Sequence, residues 1–318
     1  MSAKSRHLFV IDPIEKLNPA WDTTIKLAFV AHSHGDEVFC TELSGLIWDS
    51  SLKSVSALAT PMNFAGSPQS VVTDSKFTRR ISFSDFSIVQ MRKEPPYDLQ
   101  YIEALWILSM GRHQTKILND PLALQQLNEK LMISDFSEFA KPMMVSSNAD
   151  ELFQFAQKHC DSDIVVKPLN LYGGRGIVHL SSKESLHDDL IRETNQNNAT
   201  RLVQKFEPKI SEGEVRVFSV GGEAISWCLK VPAKGDFLAN TRAGSKLEEY
   251  QPTMQELKMI ETVAKSLVNK GVYVAGFDLI NGFLSEINIT CPALLRPERE
   301  SLDGFERVHQ LLLRKLIP

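Results

Sequence analysis

Residues 272–289 constrain the fold more tightly than any other stretch of the chain. Two apolar runs, 272–280 and 283–289, flank Asn281-Gly282. Asn-Gly between apolar runs predicts a two-residue hairpin, because both turn residues tolerate positive φ. The period of two along a strand sends Glu286 and Asn288 to one face, and closure of the hairpin can bring Asp278 beside them. Three hard oxygen ligands on a rigid sheet suit magnesium, which takes one or two carboxylates and completes its shell with water or phosphate. The same residues read equally well as the solvated face of an ordinary hairpin. The rest of the chain has to decide.

With 318 residues, 43% of them hydrophobic, the chain is long enough for two or three structural units. Its net charge of −4 argues against a nucleic-acid face, which needs a basic stripe. No apolar run approaches the length of a membrane span, and the apolar stretch Phe9-Val10-Ile11 is too short for a signal-peptide core. Cys40, Cys160, Cys228 and Cys291 are scattered without metal-ligand spacing, so reduced thiols in a cytoplasmic protein are expected. The eight histidines form no HxxxH or HExxH pattern. No histidine-based zinc site is expected from them.

A strand over 7–12 ends in Asp12-Pro13. Asp22-Thr23-Thr24 supplies N-cap candidates for a helix over 25–33, and 37–41 reads as the next strand. This opening has no GxGxxG, which removes the dinucleotide fingerprint. Residues 44–87 read as strands and turns in no assignable order. A strand over 86–91 runs into Arg92-Lys93-Glu94-Pro95-Pro96, placing Arg92 at a strand's C-terminal end, where open α/β sheets bind ligands. Taken alone, that segment reads by default as a solvated charged loop. A helix over 101–110 and a short strand and turn over 116–121 follow. The pattern then changes near Pro121, marking a domain boundary, and 122–131 reads as a helix.

Further on, a strand over 161–167 ends in Lys167-Pro168 and precedes Gly173-Gly174-Arg175-Gly176 and a strand over 177–180. Glycines let backbone N–H groups approach an anion, and the lysine adds a point charge. The loop is not a Walker A motif. The plainer reading is a hairpin that needs glycine for its turn. A helix over 184–195 and a strand over 201–206 come next, then a hairpin of strands 215–220 and 224–231 about Gly221-Gly222. Arg216 projects from the face opposite Val215 and Val217. Residues 233–249 are poor in apolar side chains and read as a mobile loop of the kind that serves as a lid. An amphipathic helix over 253–270 leads into the hairpin, and a final helix spans 303–316.

In chain order, then, come Lys130, Lys167, the glycine-rich hairpin, Gln204-Lys205-Phe206-Glu207, Arg216, a polar loop with Asn240, and the hairpin bearing Asp278, Glu286 and Asn288. In this order the chain resembles the ATP-grasp superfamily and, within it, the bacterial glutathione synthetases. The motifs that carry the resemblance are Met91-Arg-Lys-Glu-Pro-Pro-Tyr-Asp98, Asn128-Glu-Lys-Leu131, Val166-Lys-Pro-Leu169 with Gly173-Gly174, and residues 276–288. Asp12-Pro13-Ile14 and Asp22 also fit, so the likeness covers nearly the whole chain.

The resemblance implies an α/β protein with an α+β lid: an open α/β substrate domain over 1–120, a small central lid over 121–203 and a catalytic part over 204–318. It implies ATP as nucleotide, with magnesium or manganese. Lys130, Lys167, Gly173, Gly174, Gln204, Lys205, Phe206, Glu207 and Glu214 would hold the nucleotide. Arg216 and Asn240 would face the reacting phosphoryl group, and Asp278, Glu286 and Asn288 would hold the metal. Asp12, Arg92, Cys291 and Arg296 would line the substrate cleft. The implied partners are small molecules, a γ-glutamyl peptide and an amino acid, within a homo-oligomer. Neither nucleic acid nor membrane is implied. The chemistry would be carboxylate activation by ATP followed by attack of an amine.

The chain departs from the family pattern at identifiable positions. Asn170-Leu171 stands where an acidic residue and a glycine are usual, and Leu238-Ala239 where an arginine and a glycine are usual. Arg242 is the candidate for restoring that charge. Thr290-Cys291-Pro292-Ala293 replaces Thr-Ser-Pro-Thr. A related ligase with other substrates, and a nucleotide-binding regulator without catalysis, are the competing readings.

Overall fold

The computed structural model describes residues 4–239, 244–296 and 301–315. Its backbone is organised by three sheets. The first contains β1 (Arg6–Val10), β2 (Glu37–Thr41), β3 (Leu46–Asp49), β4 (Ser54–Pro61), β5 (Arg79–Ser82), β6 (Ile88–Met91) and β7 (Lys116–Leu118). Their order is β3-β4-β2-β1-β6-β7, with β5 also on β4; β1 is parallel to β2 and β6. Leu8, Phe9 and Val10 of β1 are wholly buried, as a central parallel strand covered on both faces requires. Helix α1 (Thr23–Ser33) starts at Asp22, whose carboxylate accepts from the Thr24 and Ile25 amides. Both the cap and the stop at His34 follow the sequence reading. Helix α2 (Leu99–Met110) packs against β3 and β4.

Next comes α3, and here sequence and structure differ. The helix expected over 122–131 runs only from Pro121 to Gln126. Asn128 then turns the chain by accepting from the Lys130 and Leu131 amides. A continuing helix would also need Glu129 on a solvated turn, whereas its carboxylate is buried against the far hairpin, as described below. Tertiary contacts override helix propensity here.

The second sheet, order β10-β9-β11-β8, is built from β8 (Met143–Ser146), β9 (Ile164–Pro168), β10 (Val178–Leu180) and β11 (Arg201–Lys205). Helices α4 (Ala149–His159) and α5 (Leu186–Glu193) cover it. Leu152, Phe155, Ile164, Val166, Leu190 and Val203 belong to a core of its own, separate from the other apolar clusters. The third sheet, order β14-β13-β12-β15-β16, contains β12 (Glu214–Val220), β13 (Glu223–Val231), β14 (Lys246–Glu249), β15 (Val274–Ile280) and β16 (Phe283–Asn288). Helix α6 (Met254–Asn269) backs it, opened by a reciprocal capping box between Thr253 and Glu256. The loop expected over 233–249 therefore ends in a strand, because β14 pairs with β13; Asn240 and Arg242 lie outside the described residues. Helix α7 (Asp303–Lys315) returns to pack on α1.

One buried side chain joins the first sheet to the third. The Asn119 amide group donates to the Val274 and Ile289 carbonyls at 2.7 and 2.8 Å, and its oxygen accepts from the Tyr273 and Val274 amides at 2.8 Å each. It thereby uses both donors and both lone pairs. Asn119→Ala leaves four buried backbone groups without partners. A loss of roughly 2–4 kcal/mol is expected, read as a lower urea midpoint with an unchanged slope.

Candidate active site

The Asn281-Gly282 turn forms as expected, with φ of 51° and 77°. A regular two-residue hairpin would pair Asp278 with Ser285 and Phe277 with Glu286, placing the two acids on opposite faces. The observed register instead shifts after Leu279↔Leu284, so that Asp278 faces Glu286 and Gly276 faces Asn288. Ser285 is the extra residue of a β-bulge. That single bulge puts Asp278, Glu286 and Asn288 on one face. Gly276 completes the arrangement: a Cβ there would come within 3.4 Å of the Arg216 guanidinium and 3.2 Å of Pro292.

Neighbouring strands add the counter-charges. Arg216 lies directly across from Asp278 in the β12–β15 register and grips its carboxylate with Nε and Nη2, each at 2.8 Å. Lys230 on β13 donates to the same carboxylate at 2.8 Å and also pairs with Glu214. Asn288 Nδ2 donates to it at 2.8 Å. Burial opposes ionisation of Asp278, but Arg216 and Lys230 outweigh it and hold the carboxyl well below the usual range. The opposite happens at Glu214. Burial, reinforced by the Asp278 charge, pushes it up to about 8 despite Lys230.

The central sheet supplies the facing wall. Lys167, at the end of β9, is buried and reaches Gln204 Oε1 at 3.4 Å and the bulge residue Ser285 Oγ at 3.3 Å. Burial lowers its pKa. Lys130 donates to the Leu171 carbonyl at 2.6 Å and pairs with Glu286 at 3.1 Å. Gly173 and Gly174 take φ of 62° and 77°, and Leu238 packs over Gly174, 3.4 Å from where a Cβ would stand. Between the walls lies a cavity of about 440 Å³, bordered by Lys167, Gly173, Gly174, Gln204, Lys205, Phe206, Glu207, Glu214, Arg216, Asp278, Glu286 and Asn288. Every one of these was singled out in the sequence. For magnesium, the donor set of Asp278, Glu286 and Asn288 is all hard oxygen in type, and Glu286 has only Lys130 as an ion-pair partner among the described residues. The residues fit such an ion.

A second cavity, about 600 Å³, opens at the C-terminal ends of β1 and β6 and is bordered by Asp12, Trp21, Asp22, Lys26, Arg92 and Arg296. Arg92 is fixed by Thr24 Oγ1 at 3.0 Å and the Pro292 carbonyl at 2.9 Å. Asp12 accepts from the Glu94 amide and pairs with Lys93, both at 2.9 Å. Cys291 and Ala293 border both cavities. The Cys291 thiol donates to the Arg92 carbonyl at 3.1 Å, and burial pushes it up to about 12, leaving it un-ionised near neutral pH.

Three site residues escaped the sequence reading. Lys230 looked like one more residue of an apolar strand; its signal was a cation inside Trp227-Cys228-Leu229-Lys230-Val231. Glu129 stands in the sequence only as part of the helix expected over 122–131. Its carboxylate instead accepts from the Ile289 amide at 2.7 Å and from the Thr290 amide and hydroxyl at 2.9 Å each. Burial, with Glu286 nearby, raises its pKa. Ser285 carried no signal at all.

Two facing sheets over a cleft lined by Lys167, Arg216 and Lys230 have the arrangement of an ATP-grasp ligase, and comparison with solved structures agrees on the fold. D-cycloserine synthetase DcsG superposes with a TM-score of 0.67 at 14% identity, over 96% of this chain and 98% of that one. The ATP-grasp ligase PsnB, solved with minimal precursor, Mg and ADP, gives 0.61 at 14% identity over 96% of each chain. The family follows from sequence. The prokaryotic glutathione synthetase N-terminal domain matches residues 6–125, and the ATP-grasp domain of the same family matches 129–301. Glutathione synthetase of Prochlorococcus marinus (strain MIT 9313) is 32% identical over 98% of this chain and 99% of its own. That of Vibrio vulnificus (strain YJ016) is 31% identical over 92% of each. The chain belongs to the prokaryotic glutathione synthetase family and is an ATP-dependent ligase.

Glu214 gives the site a pH signature. Its ordinary value is 4.5 and its folded value about 8. Between these the folded state holds a proton that the unfolded state has released, so this group's contribution to stability falls as pH rises through that window. Glu214→Gln mimics the protonated form and removes the dependence. The urea midpoint of the variant relative to the parent is expected to climb steadily from pH 5 to pH 8.

Proposed function

We propose that this chain joins γ-glutamylcysteine to glycine at the expense of ATP, making glutathione. The observation that carries the reading is the junction of the two cavities at Cys291 and Ala293. One cavity presents the cations and carboxylates suited to a triphosphate; the other presents the two arginines suited to a peptide carboxylate. A carboxylate entering from the Arg92 side reaches the phosphoryl end of the first cavity without leaving the cleft.

Residue roles follow from position. Gln204, Lys205, Phe206 and Glu207, where β11 leaves the central sheet, suit the adenosine end. Glu207 is itself steadied by Lys141. Lys130, Lys167 and the Gly173-Gly174 backbone suit the phosphates. Arg216, with Asn240, suits the transferring group, where positive charge counts most in the transition state. Around the phosphate end Lys130, Lys167, Arg216 and Lys230 face Glu129, Glu214, Asp278 and Glu286. With Glu214 protonated near neutral pH, the cations outnumber the charged acids. Asp278, Glu286 and Asn288 would hold magnesium, which when bound neutralises further phosphate charge and polarises the transferring group. The substrate carboxylate then attacks the γ-phosphorus, ADP leaves, and the glycine amine displaces phosphate from the acyl phosphate. Asp12, Arg92, Cys291 and Arg296 would orient the peptide, and residues 1–120, 121–203 and 204–318 would serve as substrate domain, lid and catalytic part.

The test is ATP-dependent phosphate release with γ-glutamylcysteine and glycine, run beside a panel of other acid and amine pairs. Turnover is expected to be highest with the glutathione pair. Release with another pair and none with this one would transfer the reading to a sister ligase, for which the absent hydroxyls at Cys291 and Ala293 are the motive. Glu286→Gln is expected to lower kcat by at least about a hundredfold while leaving the circular dichroism spectrum and thermal midpoint near those of the parent.

A further inference from the structure

At the other end of β1 from Asp12, three residues far apart in sequence converge. His7 is the second residue of the strand, Asp36 lies between α1 and β2, and His309 sits in the middle of α7. A nitrogen of each ring and an oxygen of Asp36 lie within 4.8 Å of one another, the one such group of His, Cys, Asp or Glu ligand atoms among the described residues. Asp36 Oδ2 is 3.2 Å from His7 Nε2 and 3.5 Å from His309 Nε2. Yet none of these three atoms makes a hydrogen bond, nor does His7 Nδ1. Both histidines are nearly inaccessible, at 1% and 3%.

Buried polar atoms without hydrogen bonds are costly, and three aimed at one another call for a shared partner. Bonds of about 2.0–2.1 Å at tetrahedral angles put neighbouring ligand atoms about 3.3–3.4 Å apart. Both measured edges from Asp36 match that spacing. Two imidazoles and a carboxylate suit zinc better than magnesium, which prefers oxygen alone. Outside the three, the Asp36 carboxylate is steadied by the Ser5 amide on Oδ1 at 3.1 Å. His34 stacks on His309 with centroids 4.8 Å apart and is held by Glu306 at 2.6 Å. The Ser5 bond is an outer contact of the kind that orients a carboxylate ligand in a metal site.

We propose that His7, Asp36 and His309 bind one zinc-type divalent cation that fastens the C-terminal helix α7 to the base of the N-terminal sheet. The absence of local histidine spacing had argued against any such site. It is invisible to spacing because its ligands come from the two ends of the chain. The cation would also fix Phe305, one turn before His309, which borders the substrate cavity and lies 5.6 Å from the Lys26 ammonium.

The test uses the full chain stripped with a chelator and titrated with zinc against a chromophoric competitor, then with cobalt as a spectroscopic substitute. One tight equivalent is expected, with the intense visible bands of four-coordinate cobalt and a higher thermal midpoint. His309→Gln and Asp36→Asn are each expected to weaken uptake by at least about tenfold, to lose the cobalt bands and to lose the thermal gain. Glu286→Gln is expected to bind zinc like the parent, which separates this site from the nucleotide cleft. No uptake by the parent, equal uptake by both site variants, or loss of uptake in Glu286→Gln would each overturn the proposal.

Discussion

The buried carboxylate of Asp278 is the contact on which the third sheet depends. It is satisfied from three strands at once, by Arg216 and Lys230 and by Asn288. A buried ion pair of this kind contributes little net stability, since desolvation consumes most of its attraction. Removing one member, however, strands the others. Its value is therefore positional. It fixes two cations and an amide at known places on one face, so that the cleft presents charge that is already oriented.

That arrangement also separates neighbouring acids. Asp278 is held ionised while Glu214, which shares Lys230 with it, keeps its proton to about pH 8. Two acids around one lysine thus carry different charges near neutrality. Glu129, buried on the far side of β16, uses its carboxylate to tie down the Ile289 and Thr290 amides. The same segment continues into Cys291 and the junction of the two cavities. The walls of the two cavities are thereby mechanically continuous.

Much of this was legible in the chain, and the failures have physical causes. The Asn281-Gly282 turn, the Asp22 and Thr253 caps and the glycine-rich hairpin are local events, written in a few adjacent residues. The bulge at Ser285 was not, because nothing in an alternating pattern says which residue the ladder will skip. The early end of α3 depends on a partner for Glu129 that lies 160 residues away. The strand order of the first sheet, with β4 returning beside β2, depends on packing that periodicity does not encode. Lys230 hid in an apolar strand because a cation neutralised by neighbouring strands is buried like its apolar companions.

The central sheet keeps its own apolar core, sharing no buried member with the clusters on either side. Across the cleft it meets the third sheet through Lys167 on Ser285, while Met143 of β8 packs against the apolar cluster that the third sheet shares with the first. The seam between the two sheets is therefore mixed: a lysine and a hydroxyl, which water can solvate as well as they solvate each other, lie beside a thioether that it cannot.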